Sequence, residues 1–253
     1  MSVYSPDQIS ELEQASYAVQ GKYENLLLAY YSKKYRTANG YEHALHGFGR
    51  RLRVMTRCIE NTFRVLPPSQ TAKPDDNQRL DATINIQSFV QNAYGCCENL
   101  AWIWVHERDI KMPSGDPVSH GAVGFRKTNR VVWRSLPTDF REYLQTLDKW
   151  FENLKGFRDG LAHRVPLYIP PSLVDPANTG KYKELERQTR IAEFTQNHEK
   201  LRRVEEELAQ IEFFRPVMTH SVTEESPLIR FHDQLLTDFN TVEEIATKFH
   251  KIL

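Results

Sequence analysis

The chain has 253 residues, 40% of them hydrophobic and 26% charged, which supports a packed core and excludes the sparse hydropathy of a disordered chain. Lysine plus arginine balance aspartate plus glutamate at 33 each, so no whole-molecule positive field draws in a polyanion. Any contact with nucleic acid is therefore local.

Apolar residues recur at alternating steps of three and four over long stretches, the period of one buried helix face. The first series is Ile9, Leu12, Val19, Tyr23, Leu26 and Tyr30, with Asn39-Gly40 as its expected stop. A second runs from Tyr41 through Leu52, Met55 and Ile59 to Leu66 and ends at Pro67-Pro68. After a polar loop to about residue 78, a third helix places Ala82, Ile86, Phe89, Ala93, Cys96, Leu100 and Ile103 on one face. Residues 109–137 are rich in Pro and Gly with basic residues interleaved, and read as a long loop placed to overhang a site.

A fourth helix starts near Thr138 or Asp139, where Asp139 followed by Glu142 resembles a capping box. Its face is Phe140, Leu144, Leu147, Phe151, Leu154 and Leu161, and Pro166 sets His163 in the last turn. A proline-rich stretch, 166–180, leads to a strongly charged fifth helix over 181–214, expected to project or to pair with another helix. A sixth, from Leu228 to Ile252, closes the chain. No strand pair with turn chemistry is visible. The expected fold is all-α, an up-down bundle of about four core helices over roughly 6–166 with C-terminal helices over 181–253, in one domain.

Cys58 and the vicinal Cys96-Cys97 form no CxxC and read as buried thiols of a reducing compartment. The N-terminal segment lacks a signal-peptide pattern, and no stretch approaches the roughly 18 apolar residues of a membrane span, so the expectation is a cytoplasmic protein without membrane contact. His43 and His46 lie one turn apart, but two histidines without a third ligand make no metal centre, and neither metal nor cofactor is expected. Basic clusters at Arg50/Arg51/Arg53/Arg57, at Arg126/Lys127/Arg130/Arg134 and at Lys200/Arg202/Arg203 read as solvated faces unless a site draws on them.

The segment with a chemical signature is Arg158-Asp159-Gly160-Leu161-Ala162-His163. Spacing alone is cheap, since Arg215 and His220 reproduce it, although Pro216 occupies the polar second position there. On a continuous helix Asp159 and His163 are i and i+4, so the carboxylate can orient the imidazole. Arg158 lies about 140° around the axis from His163, so the pair converges more readily across two copies than within one.

This segment resembles the R-[N, D or H]-x-x-x-H pattern of the HEPN superfamily of helical bundles, many of them RNA-cleaving toxins. The resemblance implies a homodimeric, metal-independent endoribonuclease that leaves a 2′,3′-cyclic phosphate, in a prokaryotic toxin or phage-defence setting. His163 would then exchange the proton, Arg158 would stabilise phosphorane charge, and Asp159 would orient one of them. Arg126, Lys127, Arg130 and Arg164 would hold the RNA. The motif departs from the nucleotidyltransferase-paired branch, which continues H-x-Y where this chain has His163-Arg164-Val165. A non-catalytic HEPN-like module, binding a protein partner or antitoxin through its charged helix and loops, stays open beside it.

Overall fold

The computed structural model describes residues 3–221 and 226–253. The all-α class holds. Helices α1 (Pro6–Ser32), α3 (Arg50–Val65), α4 (Asp76–Glu107) and α10 (Phe231–Ile252) pack on one another. Their shared core includes Tyr30, Leu52, Met55, Ile86, Phe89, Phe239 and Phe249, all at most 1% exposed. Helix α10 lies inside this packing, with Phe231, Leu235, Phe239, Val242 and Phe249 buried at helical spacing.

Several boundaries differ from the expected ones, each for a local reason. Helix α1 ends at Ser32, well before Asn39-Gly40, which instead lie in the first turn of α2 (Ala38–Glu42). The intervening turn is fixed by Glu107, whose buried carboxylate accepts hydrogen bonds from the backbone N–H groups of Arg36 and Thr37 and from the Thr37 hydroxyl. Thr37 in turn caps α2. Between α2 and α3 the chain winds as a π-helix over His43–Gly49, a form common at functional sites.

The fourth expected helix is two, α6 (Thr138–Thr146) and α7 (Asp148–His163), joined at Leu147. Asp139 lies in the first turn of α6 and Pro137 occupies the cap, so the expected capping box does not form. Inside the long segment 109–137 a short helix, α5 (Arg130–Ser135), seats Val132 in the core.

The charged fifth helix is also broken. Helices α8 (Thr179–Phe194) and α9 (His198–Ile211) form an antiparallel hairpin, because Gln196 turns the chain at φ +52° and Asn197 caps the second helix through Lys200 N–H. Leu185, Ala192 and Val204 are buried in it. A two-residue antiparallel ladder, β1 (Leu173–Val174) on β2 (Glu212–Phe213), closes its base. A second, β3 (Val217–Met218) on β4 (Ile229–Arg230), precedes α10. Both pairs lacked a hairpin signal because long insertions separate their strands.

Two buried groups on α10 make stability depend on pH in opposite senses. His232, with Nε2 2.7 Å from the Leu66 carbonyl oxygen, is held down to about 4 by burial. Asp238 is pushed up to about 6 by burial, although Gln234 and Trp150 Nε1 donate to it, the latter at 2.7 Å. As pH falls from the ordinary histidine value toward 4, the unfolded chain takes up the His232 proton first and stability is lost. Over pH 6 to 4 the folded chain takes up the Asp238 proton first and stability is gained. Each contribution is about 3 kcal/mol. We expect Asp238→Asn to be more stable than the parent above pH 6 and to lose stability more steeply as pH falls toward 4, read by urea denaturation across that range.

Candidate functional site

Helix α7 runs unbroken to His163, so both ends of the Arg158–His163 motif stand on one helix, and Arg164 N–H closes its last turn onto the Gly160 carbonyl. Trp150 anchors α7 to the core through Asp238, while Phe151 and Leu154 are buried. Arg158 faces α4. Its guanidinium carbon lies 5.1 Å from the Tyr94 ring centroid, and Nη1 donates to Asp159 Oδ1 at 3.1 Å. Asp159 also accepts from Lys155, one turn earlier. That bond, with Arg158, holds the Asp159 carboxyl below its ordinary range.

The expected orientation of His163 by Asp159 is therefore replaced. The carboxylate turns back to Lys155 and Arg158, and the exposed His163 makes no side-chain hydrogen bond among the described residues. The i, i+4 relation of Asp159 to His163 is geometrically real, but Lys155 stands in the same relation on the other side and bears a full charge.

The site continues along α4. Tyr94, Glu98, Trp102 and His106 recur at four-residue steps and are each half-buried, forming one strip about 18 Å long. Burial raises Glu98 above the ordinary carboxylate range, while the charges of Arg158 and Arg51 draw it back. Burial likewise raises the Tyr94 hydroxyl, and Arg158 and Arg126 oppose it. Arg158 and Arg51 thus border one half-buried carboxylate, and Arg126 borders the neighbouring Tyr94.

At the other end of the strip His43 stacks on Trp102 at 5.5 Å and on His106 at 5.3 Å, and His120 meets Trp102 edge-on at 5.1 Å. Burial, then the neighbouring His43, lowers His106 below the ordinary imidazole value. His43 Nδ1 lies 3.0 Å from Asn99 Oδ1, and Asn99 Nδ2 donates to the Gly95 carbonyl. The amide orientation makes Nδ1 the protonated nitrogen of a neutral His43 and leaves Nε2 as the acceptor. Gly47 permits this, since a Cβ there would overlap the Asn99 amide. His46, the sequence partner of His43, instead accepts from Arg50 at 2.9 Å. Among the described residues no group of three or more His, Cys, Asp or Glu is arranged to hold a metal.

The four residues expected to hold RNA are distributed. Arg126 is the one whose charge reaches Tyr94. Lys127 pairs with Asp148 at the start of α7, at 2.8 Å. Arg130 is exposed where α5 begins, and Arg164 is exposed beyond α7. The segment 109–137 does lie against the strip, through His120 and Arg126.

A residue that spacing arguments set aside is brought to the motif. Tyr168 and Thr219 exchange backbone hydrogen bonds, which places His220 beside Val165. His220 Nδ1 lies 3.0 Å from the Val165 carbonyl oxygen, and its ring packs on Phe157 at 5.7 Å. A Cβ on Gly160 would overlap that ring, which explains glycine inside the motif helix. Arg215, its spacing partner, stacks over Phe213. The three cysteines are buried, Cys97 pushed up to about 12 by burial, so none supplies a thiolate.

The His220 contact makes a direct expectation. Gly160→Ala should cost about 1–3 kcal/mol from overpacking. In a His220→Ala background the same change should become neutral or stabilising by up to about 1 kcal/mol, the helix-propensity gain of alanine. Thermal or urea unfolding of the double-mutant cycle measures both. No protein-family model, curated protein or solved structure matches this chain.

Proposed function

We propose that the chain is a metal-independent endoribonuclease of the HEPN type that acts as a homodimer. One observation carries this reading: Arg158 is held half-exposed by Asp159 and the Tyr94 ring on the same unbroken helix that presents His163, exposed, in its last turn. A fixed cation and a proton-exchanging imidazole are the two groups that transphosphorylation of RNA requires.

In that reaction the 2′-hydroxyl gives up its proton to an imidazole as the O2′–P bond forms. The P–O5′ bond breaks, and the departing 5′-oxygen takes the proton from the imidazolium so formed, which returns the imidazole to its starting state. Arg158 offsets the charge that builds on the non-bridging oxygens. Within one copy the two groups diverge around the helix, so a second copy supplies the complement. Arg126, bordering the strip, and exposed Arg130 and Arg164 are the proposed contacts to the phosphodiester backbone. The setting proposed with this activity is a cytoplasmic toxin or phage-defence component, paired with an antitoxin or other protein partner. Among the described residues no helix is long and apolar enough to cross a membrane.

A second reading has its own support. Lys155, Asp159 and Arg158 satisfy one another, as they would in a structural cluster stabilising a non-catalytic interaction module. Incubation of RNA with the protein in EDTA separates the two. Wild type should yield 2′,3′-cyclic phosphate ends, and His163→Ala and Arg158→Ala should each lower the rate about 100-fold or more. Equal rates in all three proteins would mean cleavage elsewhere, and no cleavage by wild type would favour the module.

A further inference from the structure

The half-buried edge of α4 carries an acidic side chain whose acceptor oxygens are unclaimed. Glu98 makes no side-chain hydrogen bond and no ion pair among the described residues. Two guanidiniums come near without pairing with it. Arg51 reaches from α3 across Gly95, where a Cβ would overlap the guanidinium, and its hydrogen bond goes to Asn92 Oδ1 at 3.5 Å. Arg158 reaches from α7 over Tyr94. Trp102 stands i+4 from Glu98, and side chains on a helix lean toward its N-terminus, so the indole lies over the turn that bears Glu98. The indole is nearly parallel to the rings of His43 and His106, at interplanar angles of 13° and 20°. A carboxylate with unmet acceptors, a ring platform and two cations thus share one edge. Leaving such a carboxylate half-buried and unmatched is costly, and a ligand that brings donors to it removes the cost.

We propose that this edge binds a guanine nucleotide, with Glu98 reading the base, Trp102 stacking on it, and Arg51 and Arg158 holding its phosphate. The chemistry selects guanine among the common bases. A carboxylate presents two acceptor oxygens side by side, and guanine alone offers two adjacent donors, N1–H and the 2-amino group, on its Watson–Crick edge. Adenine and cytosine set one amino group beside an acceptor nitrogen, and uracil sets one N–H between two carbonyls. Each of these turns a lone pair toward a carboxylate oxygen. The indole stacks on any base and adds affinity without choice. The arginines, permanent cations with planar donor forks, match the phosphate at the other end of the nucleotide. This site is complete in one copy and does not use His163. It shares Arg158 with the ribonuclease reading but does not depend on cleavage.

The test is isothermal titration calorimetry of the full chain with GMP, AMP, CMP and UMP, with circular dichroism to confirm that each variant folds. GMP should bind about ten-fold or more tightly than the other three, the discrimination of a bidentate base contact. Glu98→Gln should erase that preference. Trp102→Ala should weaken all the nucleotides about five-fold or more. Arg51→Ala should weaken GMP but not guanosine, which has no phosphate. Equal affinity for the four nucleotides, absence of GMP binding, a GMP preference that survives Glu98→Gln, or affinities untouched by Trp102→Ala overturns the proposal. A single-stranded trinucleotide with a central guanosine, bound about ten-fold or more tightly than GMP, marks the ligand as a base within a strand. Equal affinity marks it as the free nucleotide. GMP preference in a chain that cleaves no RNA keeps this site and ends the ribonuclease reading, and cleavage without GMP preference does the reverse.

Discussion

Helix α4 has to bury most of its circumference at once. Over 32 residues it packs on α3, α10, α7 and the π-helical segment, and residues from Ala82 to Glu107 are buried on nearly every side. Such a helix can carry polar groups only along whatever edge its neighbours leave, or where each polar atom is matched. Tyr94, Glu98, Trp102 and His106 occupy that edge, and Asn99 and Glu107 are the matched exceptions. Arg158, Arg51, His43 and His120 gather on this one strip.

The polar matching has structural consequences beyond the site. Glu107 sets the turn between α1 and α2, and Asn99 meets His43 of the π-helical segment and leaves room for no side chain at Gly47. A π-helix has poorer local geometry than an α-helix, and here its cost is offset by the hydrogen bonds and ring stacking it makes possible. The motif helix is tied in the same way. Asp238 on α10 accepts the Trp150 indole N–H, and this bond, with buried Phe151 and Leu154, refers the placement of Arg158 and His163 back to the core.

The molecule also separates rigid from projecting parts. The bundle holds Arg158, His43 and His106 against packed neighbours, whereas the α8–α9 hairpin has a narrow interior of Leu185, Ala192 and Val204 and a surface rich in charge that also exposes Ile191 and Phe194. A hairpin with so little buried area gains little from its own packing.

What the sequence alone determined was the set of long-period features. Apolar residues at helical spacing located α1, α3, α4, α7 and α10, because that pattern is a local consequence of burying one face. The run before Pro166 correctly put His163 in a last turn. Where the sequence failed, the deciding partner was distant. Asp159 had two candidate neighbours at equal spacing, and Lys155 holds it in a fold that brings Arg158 over Tyr94. His43 was read with His46 by proximity along the chain, yet its partners are Asn99, Trp102 and His106, more than fifty residues away. His220 reached the motif only through the Tyr168–Thr219 bridge. Periodicity records which face is buried; which polar groups meet there is fixed by packing between elements, and only the tertiary structure decides it.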